Sequence, residues 1–362
     1  MKRRPCFAVP WDARSDQPHR ILDPQVRRAA RAGLIGEYAQ TLATAALVAP
    51  LVAARYPTLD AARFAPATRA DFCGVALSPR PGRDVEQIAL LDELGLRQVL
   101  VRIPLGDPRA RDAHLALIAA LAPRPVLGVL VQDRTLVCRP QRWLSACEDL
   151  VSALPGNVTA LQIAQAVNRL KWGCASIGEA LALNAVIPTL RAVRSDLLIL
   201  GSSVIDFEPL ATARSLLNRH RFRLDGVAAQ LYVDRRGGPE GRQWAWFDLP
   251  RKLRLLAAIT ALSPRSADRL WVTEVNWPLR GYTGWAPTSD TECVDEDAAG
   301  AHLRAYYRMA WNSGVVERVY WWQLVARGYG LVDDSAVRWR RRPAFTALRD
   351  VAAALRRGDA LA

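Results

Sequence analysis

Glu274 is the residue whose setting most demands a chemical explanation. It stands in the run LWVTEVN, where aromatic and β-branched neighbours leave a carboxylate little access to water. A charge placed there needs an opposite charge and hydrogen-bond donors. Arg102, in the equally apolar run QVLVRIP, has the chemistry to supply both. Such a pair is either a purely structural ion pair or the anchor of a binding site. Other polar residues stand where apolar runs end: Gln165 and Asn168 in QIAQAVN, Tyr232 in QLYV, Trp277 in NWP, and the neighbours Trp321 and Trp322. Carboxylates follow two more runs, Asp206 and Glu208 after one and Asp234 after another. The chain holds 12 tryptophans, several in these segments. Indole stacks on the CH faces of sugars, so the aromatic content favours a carbohydrate ligand. Each residue also has a plainer role. Tyr232 fits a core equally well, and Asn168 fits a loop brace. Trp321 and Trp322 point to opposite faces of a strand, so at most one of them reaches a ligand.

Metal and cofactor chemistry find little support. The four histidines are far apart, and none sits in an HxxxH or HExxH arrangement. The six cysteines form no CxxC pair and read as reduced thiols. No GxGxxG or GKS/GKT follows the first apolar run, so no nucleotide cofactor is expected. No metal is expected either.

The elements that must position these residues recur along the chain. Eight nearly continuous apolar runs begin at residues 72, 98, 126, 158, 197, 226, 270 and 318. Continuity of this kind marks parallel strands buried on both faces. Segments of helical period separate them, and each gap leaves room for a crossover helix. Eight successive β/α units predict an α/β fold of the (β/α)₈, or TIM-barrel, type. In such a barrel the reactive groups stand at the C-terminal ends of the strands, where the residues above fall. Residues 1–70 lie outside the repeat and are expected to form an N-terminal helical extension. Residues 71–357 then make the barrel, and 358–362 a tail.

In order and content these strand ends resemble the clan A retaining glycoside hydrolases. WVTEVNWP on the seventh strand is the strongest local match. The resemblance implies that Glu274 is the nucleophile, that Arg102 pairs with it and that Tyr232 hydrogen-bonds it. It further implies that Trp321 or Trp322 floors a sugar subsite. One position departs from the pattern. The Asn-Glu of the fourth strand, whose Glu is the general acid/base, aligns with Gln165 and Ala166, and alanine donates no proton. A substitute acid from Asp206, Glu208 or Asp234 is one resolution, with Glu240, Glu292, Asp295 and Glu296 as further candidates. A substrate with a good leaving group is a second, and a glycan-binding or scaffold protein without turnover is a third.

Composition bounds the remaining classes. With 51% hydrophobic and 23% charged residues among 362, the chain has the make-up of a globular protein. Its net charge of +14 is almost entirely arginine, scattered and without a nucleic-acid motif, so no nucleic-acid partner is expected. The stretch 34–54 is apolar but alanine-rich and interrupted by Glu37 and Gln40, so no membrane span is expected. No apolar h-region follows the basic start, which makes a cytoplasmic location the expectation.

Overall fold

The computed structural model describes residues 6–233, 237–282, 284–285 and 290–361. Eight parallel strands close into a barrel, as the eight apolar runs predict. They are β1 (Cys73–Leu77), β2 (Gln98–Pro104), β3 (Val126–Val131) and β4 (Val158–Ile163), then β5 (Leu198–Ile205), β6 (Gly226–Gln230), β7 (Leu270–Val275) and β8 (Arg318–Trp321). Neighbours in sequence are neighbours in the sheet, and β8 pairs with β1 to complete the ring. The seam depends on glycine: a Cβ built on Gly74 would lie 2.5 Å from the ring of Tyr320.

Helices follow every strand. Two precede the barrel, α1 (Pro24–Arg31) and α2 (Ile35–Arg55). Then come α3 (Asp84–Leu94), α4 (Pro108–Ala120), α5 (Arg134–Cys138) and α6 (Pro140–Ala153). The fourth and fifth crossovers hold α7 (Ile177–Leu183), α8 (Ile187–Val193) and α9 (Pro209–Leu216). The last are α10 (Leu249–Ala261), α11 (Glu296–Asn312) and α12 (Pro343–Arg357). Several start on an aspartate whose carboxylate caps the first turn. Asp107 accepts from the amides of Arg109 and Ala110, and Asp248 from that of Arg251. These caps satisfy backbone donors that the helix itself leaves open.

Two apolar layers result. Side chains turned outward from the strands pack under the helices in one large core. Those turned inward, including Leu100, Val129, Leu200, Trp271 and Tyr320, fill the barrel. Ahead of the barrel the chain is not wholly helical. Trp11–Asp12 pairs antiparallel with Gln17–Pro18 in a short hairpin, and a 3₁₀ turn spans Ala61–Arg63. Strands two residues long leave no periodicity in a sequence. Helix α2 lies along the flank of the barrel. Its Glu37 and Gln40 accept from Arg214 of α9, and Arg254 of α10 donates to the Tyr56 carbonyl just beyond its end.

Candidate functional site

Strand β7 brings Glu274 to the C-terminal end of the barrel, where three residues from the ends of other strands meet it. Its Oε2 accepts from Nη2 of Arg102 and, at 2.7 Å, from Nε2 of Gln165. Its Oε1 accepts from the hydroxyl of Tyr232 at 2.5 Å. The carboxylate is 6% exposed and Arg102 is 2% exposed, so the pair is nearly stripped of water. Both members are compensated. The guanidinium lies 3.3 Å over the Trp322 ring and 4.9 Å from that of Trp172, and its Nη1 donates to the Asp16 carbonyl at 2.9 Å. Cation–π contact of this kind stabilises a desolvated charge by about 2 kcal/mol.

Gln165 is oriented by other glutamines. Its Oε1 accepts from Gln162 at 2.9 Å and Gln230 at 2.7 Å, so its amide nitrogen must face Glu274. Its backbone N–H donates to Gln132, and its carbonyl accepts from the same side chain. Ala166, one residue on, is fully buried in the interior layer that also holds Trp172 and Trp322. Its φ of 42° and that of Ala164, 64°, lie in the left-handed region.

The structure brings Arg102, Gln165 and Tyr232 onto Glu274 and Trp322 onto Arg102, and it places the other expected ligand contacts elsewhere. Trp321 turns outward into the helix layer and stacks on Trp277, with centroids 5.8 Å apart and planes at 22°. Trp277 donates its indole N–H to the Gly237 carbonyl, and its ring meets the edge of Tyr306 on α11. Strand alternation sends Trp322 to the site and Trp321 to the core. Asn168 uses both ends of its amide on the backbone of Ile205, at 2.9 Å each, and so ties the fourth loop to β5. Asp206 and Glu208 share Arg169, each at 2.5 Å, and Glu208 lines a cavity of about 290 Å³ with Glu37 and Tyr38 at the flank. Asp234 lies outside the described residues. Glu296 is held by Arg340 and Arg342, which keep its pKa below the ordinary value against the effect of burial.

The sequence reasoning missed the N-terminal hairpin. Its turn reaches over the mouth, where Asp16 is 1% exposed. The Ser15 carbonyl accepts from Tyr329, Lys171 donates to Gln17, and Trp11 meets Trp172 edge-on. The Asp16 carboxylate faces Nε2 of His114 at 3.0 Å, while Nδ1 lies 2.6 Å from the Ala110 carbonyl. A carbonyl only accepts, so Nδ1 carries hydrogen. Nε2 must then carry one too if it is to bond a carboxylate. Burial alone would lower the His114 pKa. The charge and hydrogen bond of Asp16, the Ala110 carbonyl and Asp84 outweigh it, and the value is raised above 6.5. Asp16 and His114 are 98 residues apart in sequence, and neither belongs to a motif. Trp172 follows the fourth strand. It is buried in the mouth, and its indole N–H has no partner among the described residues.

No protein-family model matches the chain, and no curated protein matches it. Solved structures do. A family 39 glycoside hydrolase from the gut symbiont Bacteroides cellulosilyticus WH2 is similar at 14% identity and TM-score 0.57 over 80% of this chain. The chain spans 64% of that protein's length. An arabinofuranosidase is similar at 11% identity and TM-score 0.56, over 80% of this chain and 72% of that one. An FMN-binding beta-glucuronidase from Facaelibacterium prausnitzii L2-6 follows at 13% identity and TM-score 0.52, over 79% and 46%. The chain thus shares the closed-barrel fold of the clan A glycoside hydrolases.

Proposed function

We propose that the barrel mouth is a saccharide site of the retaining-glycosidase type, with Glu274 as its nucleophile and no resident proton donor. The observation that carries this reading is the convergence of Arg102, Gln165 and Tyr232 on one buried carboxylate at the end of β7. Three donors hold the group aimed. Oε2 already accepts from both Arg102 and Gln165, whereas Oε1, with its one hydrogen bond from Tyr232, keeps a lone pair to attack an anomeric carbon. Trp322 and Trp172 offer indole surface beside it, which suits the CH face of a sugar ring.

The second half of ordinary retaining catalysis is missing. Attack by Glu274 expels the leaving oxygen as an anion unless an acid protonates it, and Ala166 occupies the place where that acid is expected. Loss of such assistance costs a factor of ~10² to 10⁴ in rate. The site therefore binds glycans and cleaves only bonds whose leaving group is stable unprotonated. The same gap affects the second step, because no base activates water to release the sugar.

Aryl glycosides with strongly acidic phenols test this. The expected result is slow phenolate release that azide accelerates, with a glycosyl azide of retained configuration as product. Azide is the informative nucleophile because it needs no base. Glu274→Gln should abolish both effects and leave glycan affinity within about threefold. Absence of phenolate release, with binding that survives Glu274→Gln, would leave a glycan-binding protein without chemistry.

A further inference from the structure

Helix α2 presents a surface that the barrel does not use. Its 21 residues include none that is fully buried, although the span is long and apolar enough to cross a membrane. Residues 38–54 contain no charged residue. A stripe through Glu37, Thr41, Ala45, Val48 and Val52 is half-buried against the barrel flank. The rest of the circumference carries Tyr38, Leu42, Leu47 and Leu51 into solvent, and Leu47 is 77% exposed. A helix that is apolar all round is normally covered by protein or by lipid.

Two further features say which. Beside α2 runs an open groove of about 430 Å³, lined by Ala49, Val52, Leu210, Phe247 and Ile259, with Trp246 at its rim. The groove is almost wholly carbon, so sugar hydroxyls would go unsatisfied there, while an aliphatic chain would not. Trp244 and Trp246 project from one short turn and are 69% and 57% exposed. Indole at the border of an apolar surface suits the boundary between acyl chains and headgroups. The second feature is charge. Helix α1, leading into α2, carries exposed Arg27, Arg28 and Arg31 and no acidic residue, in a chain of net charge +14. A second copy seated on the same patch would bring like charges together. An anionic lipid surface would not.

We propose that α2, with the Trp244–Trp246 turn, docks the protein on the surface of an anionic phospholipid bilayer, the helix lying in the interface and the groove taking an acyl chain. The helix remains on the barrel through Glu37–Arg214 and does not cross. Such elements bind by buried apolar area together with attraction to acidic headgroups.

Flotation of the full chain with vesicles tests the proposal. It should float with phosphatidylcholine vesicles containing phosphatidylglycerol, much less with phosphatidylcholine alone, and less again at high salt. L47E/L51E should lower vesicle affinity by more than about tenfold. R27E/R28E, which leaves the apolar face intact, should lower it about thirtyfold or more. All four side chains project into solvent, so both variants should keep the wild-type melting curve. Failure of the wild-type chain to float overturns the proposal. So does a wild-type dimer in sedimentation that L47E/L51E converts to a monomer, because the face is then covered by a second copy. Retention through alkaline carbonate, with residues 6–34 shielded from added protease, also overturns it, because the helix then spans.

Discussion

Arg102 and Glu274 hold each other in place where neither would be stable alone. Both are almost fully desolvated, and each has further support: two donors besides the arginine for the carboxylate, two indole rings and a carbonyl for the guanidinium. Removing one partner of a buried pair leaves an uncompensated charge, at a cost of roughly 3–5 kcal/mol. Arg102→Met should therefore lower unfolding free energy by that amount in urea titrations. Glu274→Gln keeps an acceptor for Tyr232 but strands the guanidinium. The double variant removes both charges together, and it should be less destabilised than the two singles added, by about 1–3 kcal/mol. Strict additivity would mean that the two residues do not depend on each other, and the site would lose its basis. Ala166 shows a different residue-scale constraint. It is sealed under indole rings in a left-handed backbone, so restoring a carboxyl there by Ala166→Glu forces overpacking of roughly 1–3 kcal/mol. That variant should melt lower than the wild type.

At the scale of elements, the hairpin over the mouth is fastened through the pair of His114 and Asp16, and its hold must depend on pH. The His114 pKa is raised in the folded protein. The stabilisation is therefore complete below the unfolded value of about 6.5 and is lost as pH rises through the higher folded value. Amide exchange in residues 11–18, corrected for intrinsic rates, should accelerate over that window, and His114→Gln should remove the dependence. A pH-independent exchange profile would mean that the pair does not secure the hairpin. This element also marks the limit of what the sequence reveals. The eight strands were legible because each is a continuous apolar run, and continuous runs have few other structural uses. Arg102, Glu274, Gln165 and Tyr232 were legible because barrel topology fixes which end of a strand is the mouth. The hairpin was not, because its strands are two residues long and its anchors come from remote helices and loops. Trp277 was misplaced because it lies beyond the end of β7, where alternation no longer fixes the direction of a side chain. For Trp321 and Trp322 alternation requires opposite faces but does not say which of the two faces the site.

Across the whole molecule, closure of the ring decides whether the site exists. Arg102 is on β2 and Glu274 on β7, and the two strands between them, β8 and β1, form the seam. Trp322, which lies over Arg102, directly follows β8. The seam thus joins elements about 245 residues apart in sequence and carries the floor of the site with it. Its tightest point is Gly74, where any Cβ meets the Tyr320 ring at 2.5 Å and the Gln98 carbonyl at 3.2 Å. Tyr320 cannot retreat, because it is buried against Trp271 inside the barrel. Gly74→Ala should therefore cost roughly 1–3 kcal/mol through overpacking, seen as a lower urea midpoint. Gly36→Ala in α2, where nothing lies within 4 Å, should leave the midpoint unchanged or raise it by up to about 1 kcal/mol. The seam variant should also reduce azide-dependent turnover beyond its loss of folded protein, because spreading β8 from β1 moves Trp322 and Arg102 relative to Glu274. If Gly74→Ala lowered stability with turnover per folded molecule intact, the geometry of the site would be independent of the seam. Its positioning would then have to come from the loops and the N-terminal hairpin.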